Sequence, residues 1–181
     1  MSTEHEMEEL QEAAEAGQHS HLAAVSLTMS ILAVLVAVAA LLSHRSHTEE
    51  VLLQDKATDT WNYYQAKNIR AHTTEQIDEL LKVVPLKNPE AAEALLKKHE
   101  AALEKSKEER AEIMKEARAL EAEVALFTRR ADRYDLGETL LEVGLVICSI
   151  TLLTKRKTYW YAGIVAGIIG VVATALGLML H

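Results

Sequence analysis

A chain of 181 residues with a net charge of −8 holds no large basic patch, which argues against a nucleic-acid partner. Its one cysteine, Cys148, excludes a disulfide framework within a single copy. The apolar residues are gathered into three runs rather than spread as a globular core needs, so the composition points to an all-α membrane protein in contact with lipid.

Residues 1–21 carry six Glu and no Lys or Arg, and are expected to form an acidic disordered tail. Residues 22–42, LAAVSLTMSILAVLVAVAALL, hold no charge and at 1.5 Å per residue would span roughly 30 Å, the hydrocarbon thickness of a bilayer. The acidic flank and the length of the run favour a retained transmembrane helix over a cleaved signal peptide. The run ends in SHRSHTEE, where His44 and His47, followed by Glu50, suggest a metal pair. Zinc needs three or four ligands, and one helix presents these poorly, so several copies would have to pool their histidines. The expectation is a polar membrane boundary anchored by Arg45, with no metal and no cofactor.

Residues 43–135 contain no Gly and only one Phe, and are dominated by Ala, Leu, Glu, Lys and Arg, the composition of long helices. From Ala92 a 4-3 spacing runs through Leu96, His99, Leu103, Ser106, Arg110, Ile113, Ala117, Leu120, Val124 and Phe127. A sustained seam of this kind is the mark of a coiled coil, and its polar middle can fix register or partner number. Upstream, an apolar stripe is read through Ala57, Trp61, Tyr64, Ile69, Ile77, Leu80 and Val84. Between the two lies VPLKNPEAA: Pro85 stops one helix, Asn88 suits an N-cap and Pro89 the first position of the next helix. Arms of 42 and 47 residues, each about 60–70 Å long, joined by a turn near 85–89, predict a long antiparallel coiled-coil hairpin. Trp61, Tyr63 and Tyr64 form the densest aromatic cluster outside the spans; they pack on the second arm near Ile113 or Glu116, or else mark a partner surface.

Residues 136–153 form a second span interrupted by Glu138 and Glu142, four apart on one face. These carboxylates either reach headgroup water or serve an ion path or a basic partner. The segment TKRKT then makes a tight connection to a third span, residues 159–181, which opens on an aromatic belt of Tyr159, Trp160 and Tyr161. Gly163, Gly167, Gly170, Thr174 and Gly177 follow at steps of 4, 3, 4 and 3, a small-residue face for close helix packing. Five bases near the span ends on the hairpin side (Arg45, Lys56, Arg129, Arg130, Arg133) outnumber Lys155, Arg156 and Lys157 in the connection, which favours a cytoplasmic hairpin.

The segment SHRSHTEEVLLQDKATDTWNYYQAKNIRAH, residues 43–72, resembles an uncharacterised family of bacterial membrane proteins, domain of unknown function 4337. The HR-x-H-T-E and ATD-x-W-x-YYQAK-x-I patterns carry the likeness, which extends through the coiled coil to the paired C-terminal spans. It implies a multi-pass protein of the bacterial inner membrane, and brings no catalytic residues. No nucleophile–base pair, Gly-rich phosphate loop or Cys/His metal signature stands in the chain, so no enzyme is expected. The expected role is a non-enzymatic oligomeric scaffold or docking protein. The alternatives are an accessory subunit of a larger membrane complex and an ion-conducting oligomer lined by intramembrane carboxylates.

Overall fold

The computed structural model describes residues 22–84 and 88–180, and the tail expected over residues 1–21 and Pro85 lie outside them. Three helices make up the fold: α1 (Ser2–Val83), α2 (Pro89–Thr154) and α3 (Lys157–Leu178). No strand occurs among the described residues. Each helix contains a stretch long and apolar enough to cross a membrane. The start of α2 follows its local chemistry. The Asn88 side-chain oxygen accepts from the Ala91 amide at 3.2 Å, and Pro89 occupies the first helical position, where its missing N–H leaves nothing unsatisfied. The chain divides into two compact units, residues 1–48 with 126–181, and residues 49–125.

In the first unit the three apolar stretches share a core of Leu32, Ala39, Leu141 and Cys148. The small face of α3 meets α2 of the same chain. A methyl group built on Gly144 would lie 2.8 Å from the Gly163 carbonyl oxygen and 3.1 Å from the Gly167 amide nitrogen; one built on Gly170 would lie 2.8 Å from the Gly137 carbonyl. The two helices therefore touch backbone to backbone, an approach that only glycine allows. Gly163, Gly167, Gly170 and Gly177 are all buried, whereas Thr174 is half-buried and Ala173 takes the neighbouring buried place. On α2 the matching face is Tyr134, Gly137, Leu141, Gly144, Cys148 and Thr151, all buried and spaced by three and four. Leu32 of α1 closes on Gly167 from the third side. The connection between α2 and α3 is two residues, shorter than the five of TKRKT, because both helices run further than their apolar cores. Lys155 ends α2 in the left-handed region (φ 55°), its amide donating to the Thr151 carbonyl at 2.8 Å.

In the second unit the eleven positions of the α2 seam from Ala92 to Phe127 are each half-buried or buried, with Ile113 and Ala117 the most enclosed. (Phe127 itself falls in the first unit.) The α1 stripe differs from its expectation. Ala57 is buried and Trp61 and Tyr64 are half-buried, but Ile69, Ile77, Leu80 and Val84 are exposed. The buried positions instead recur every seven residues, Ser43, Ala57, Ala71 and Asp78, with half-buried Glu50 and Tyr64 between them. The expected stripe left this repeat at Ile69, five residues after Tyr64, because it followed apolar identity. The polar seam of α2 selects Ala71 and Asp78 in place of the larger apolar residues.

Backbone contact and side-chain contact should respond differently to an added methyl group. Gly144→Ala meets only backbone and is expected to destabilise by about 1–3 kcal/mol, since the helices must separate. Gly177→Ala meets the Tyr134 ring, which can turn aside, and should do less. Thermal unfolding of the two variants in detergent, followed by circular dichroism, checks the order.

Candidate functional site

Polar groups converge where the apolar stretches of α1 and α2 end in the first unit. Ser43 and His47 are four apart on α1, so their side chains stack one turn above the other. Both reach Asp135 of α2: the Ser43 hydroxyl donates to Oδ1, and His47 Nε2 lies 3.1 Å from Oδ2. Ser43 and Ser46 are buried, and the Thr139 hydroxyl donates to the Asp135 backbone carbonyl at 2.8 Å. Partial burial works against the charge on Asp135, but the hydrogen bonds from Ser43 and His47, with the attraction of a protonated His47, outweigh it and hold the carboxyl below its ordinary value.

The order of the three groups limits their chemistry. Activation of a serine requires the imidazole to contact the hydroxyl, with the carboxylate behind the imidazole. Here the carboxylate stands between the two, so it ties α1 to α2 and leaves the hydroxyl without a base. His44 is exposed, and its carbonyl accepts from Thr48 at 2.9 Å. Among the described residues no group of three or more His, Cys, Asp or Glu is placed to hold a metal ion.

The rest of the first unit is fastened at both ends. Arg130 donates through Nε to the Leu180 carbonyl at 2.7 Å, and its guanidinium lies 5.3 Å from the Phe127 ring centre. At the opposite end Trp160 Nε1 donates to Thr28 Oγ1 at 3.2 Å, so Trp160 packs inward against α1 while Tyr159 and Tyr161 stay exposed. Glu138 is half-buried and Glu142 is exposed.

In the second unit Trp61 donates to Glu121 Oε1 at 2.8 Å and meets Tyr64 edge-on, with ring centres 5.6 Å apart. Its hydrogen-bond partner on α2 is thus Glu121. Tyr63 is exposed, and Lys67 lies over its ring while pairing with Glu109. The pairing holds the Lys67 ammonium above its ordinary value and the Glu109 carboxyl below its own. Further along, Arg110 Nη1 donates to Asn68 Oδ1 at 2.6 Å, and His99 Nδ1 lies 2.6 Å from Asp78 Oδ1. A cleft of about 460 Å³ beside this pair is lined by both signs of charge, including Asp78, Glu79, Lys82 and Arg110, and by Leu96 and Leu103.

Sequence reasoning singled out His47 but missed Asp135, and it found the α3 glycines without their partners Gly137 and Gly144. The signal was present: 134, 137, 141, 144, 148 and 151 repeat the 3-4 spacing of α3.

These features define an all-helical protein with three helices suited to crossing a membrane, joined by polar ties at the ends of their apolar stretches. The chain belongs to the family described as a domain of unknown function (DUF4337), which matches residues 21–180. No curated protein and no solved structure matches it.

The Asp135 tie has a pH signature. Because the folded carboxyl titrates below its ordinary value, its contribution is full above about pH 4 and is lost as pH falls through the folded value. Asp135→Asn should flatten the acid limb of a detergent unfolding profile. An unchanged acid limb would show that the tie contributes nothing.

Proposed function

We propose that the protein is a non-enzymatic, oligomeric scaffold of the bacterial inner membrane. In this reading α1 and α2 form an antiparallel coiled-coil hairpin between the first and second of three spans. The observation that carries it is the order of contacts in the second unit. Trp61 meets Glu121, the neighbours Lys67 and Asn68 meet the neighbours Glu109 and Arg110, and Asp78 meets His99, so from turn to turn the partners fall along α2 as they rise along α1. The seven-residue recurrence of enclosed positions supports a supercoiled pair. A seam of salt bridges and amides, with no activated nucleophile beside it, suits docking better than turnover. The excess of bases on the hairpin side favours a cytoplasmic hairpin.

Solubilised full-length protein is expected to run as an oligomer of one chain by light scattering after detergent correction. A monomer overturns the scaffold reading. A stoichiometric foreign partner on purification from native membranes would replace it with the accessory-subunit reading.

One observation favours a second reading, an ion-conducting oligomer. Glu142 is exposed about two turns inside the second apolar stretch, where a lipid-facing carboxylate is costly and a water-filled path would solvate it. Proteoliposomes should then show a cation flux that Glu142→Gln reduces at least tenfold. Absent flux, or flux that Glu142→Gln and Glu138→Gln leave intact, overturns this reading.

A further inference from the structure

Over residues 66–84 of the second unit, α1 turns mostly small and polar residues towards α2, with Leu81 the half-buried exception, and most of its large apolar residues away. Lys67, Ala71, Thr74 and Asp78 are half-buried or buried, while the opposite side presents Ala66, Ile69, Thr73, Ile77, Leu80 and Val84 at steps of three and four. Ile69 is 64% exposed, Ile77 43%, Leu80 63% and Val84 52%, and Val83 beside them reaches 82%. Arg70, Gln76 and Glu79 border this face, while Glu75 and Lys82 line the cleft towards α2.

Such an arrangement inverts the usual amphipathic helix, and its size decides what it implies. The five aliphatic side chains together present on the order of 500 Å² of apolar surface, at the upper end of what a monomer leaves contiguous. Two such faces joined would remove on the order of 1,000 Å² of it, and with their rims would reach the size of a specific interface.

We propose that a second copy of the chain docks here, α1 against α1, parallel and in register. The proposal rests on the oligomer reading above and names its surface. A second copy supplies a face of the same length and spacing by construction, as a two-fold contact requires. The face repeats after eleven residues, Ala66 with Ile77, Ile69 with Leu80 and Thr73 with Val84, a period close to that of the α-helix itself, so two nearly straight parallel helices stay in contact along it.

The test uses full-length protein in native membranes, with Cys148→Ser as background. Ile69→Cys and Leu80→Cys are each oxidised, and Lys97→Cys on the exposed side of α2 serves as control; the particle size of the same samples is measured in detergent. Same-residue disulfide dimers at Ile69→Cys and Leu80→Cys, at least tenfold above the control, are expected, because a parallel seam brings equivalent core Cα atoms within disulfide range. An oligomeric particle without these dimers overturns this face and leaves the scaffold reading standing. A monomer overturns both. Disulfides to a different protein at these positions overturn the second copy as occupant. Ile69→Glu with Leu80→Glu should also lower the particle size with helicity unchanged, and an unaltered size counts against the proposal.

Discussion

Backbone touches backbone where α2 meets α3, and the arrangement of the first unit depends on that contact. Burying Leu141 or Leu32 against another helix in a bilayer gains little by transfer, since lipid tails are as apolar as leucine. Association must then come from close van der Waals packing and from hydrogen bonds. Gly137 and Gly144 on α2, with Gly163 and Gly170 on α3, let carbonyl oxygens and amides approach to distances that any side chain would forbid. Leu32 then finds in Gly167 a recess into which it fits, and the polar ties at Ser43–Asp135 and Thr28–Trp160 fasten the apolar stretch of α1 near its two ends.

The second unit solves a different problem. Its helices are rich in charge and could still pair through large apolar residues, yet the seam uses Asp78–His99, Asn68–Arg110 and Lys67–Glu109. Pairs of this kind add little net stability, because desolvation offsets much of their attraction. A shifted register, however, leaves half-buried charges without partners, and that penalty is large. The seam therefore selects one alignment of the two helices rather than a strong one.

How far the sequence revealed this follows the same division. The apolar runs, the α2 seam and the cap at Asn88 were legible because each depends on local composition or on a period intact within one segment. The face of α1 was not, because what lies opposite decides it: Asn68 and Asp78 face inward to meet Arg110 and His99, and no local rule prefers them to Ile69 and Leu80. Asp135 was overlooked for a related reason. Its role depends on two side chains roughly ninety residues away, and it looked like one more charge at the edge of a span. Sequence periodicity identifies which faces exist; the choice among competing faces is made by the partner helix.

The two-residue link at Lys155 and Arg156 has a mechanical consequence. With Lys155 already held in a left-handed conformation that L residues adopt sparingly, the link has no slack to absorb a relative displacement. A piston-like shift of α2 along its axis would therefore carry α3 with it almost undiminished, and the glycine contacts would move as a unit rather than slide. From Leu126 onward α2 and α3 behave as one stiff body, so such a displacement would be felt where they meet α1, at Ser43–Asp135 and Thr28–Trp160.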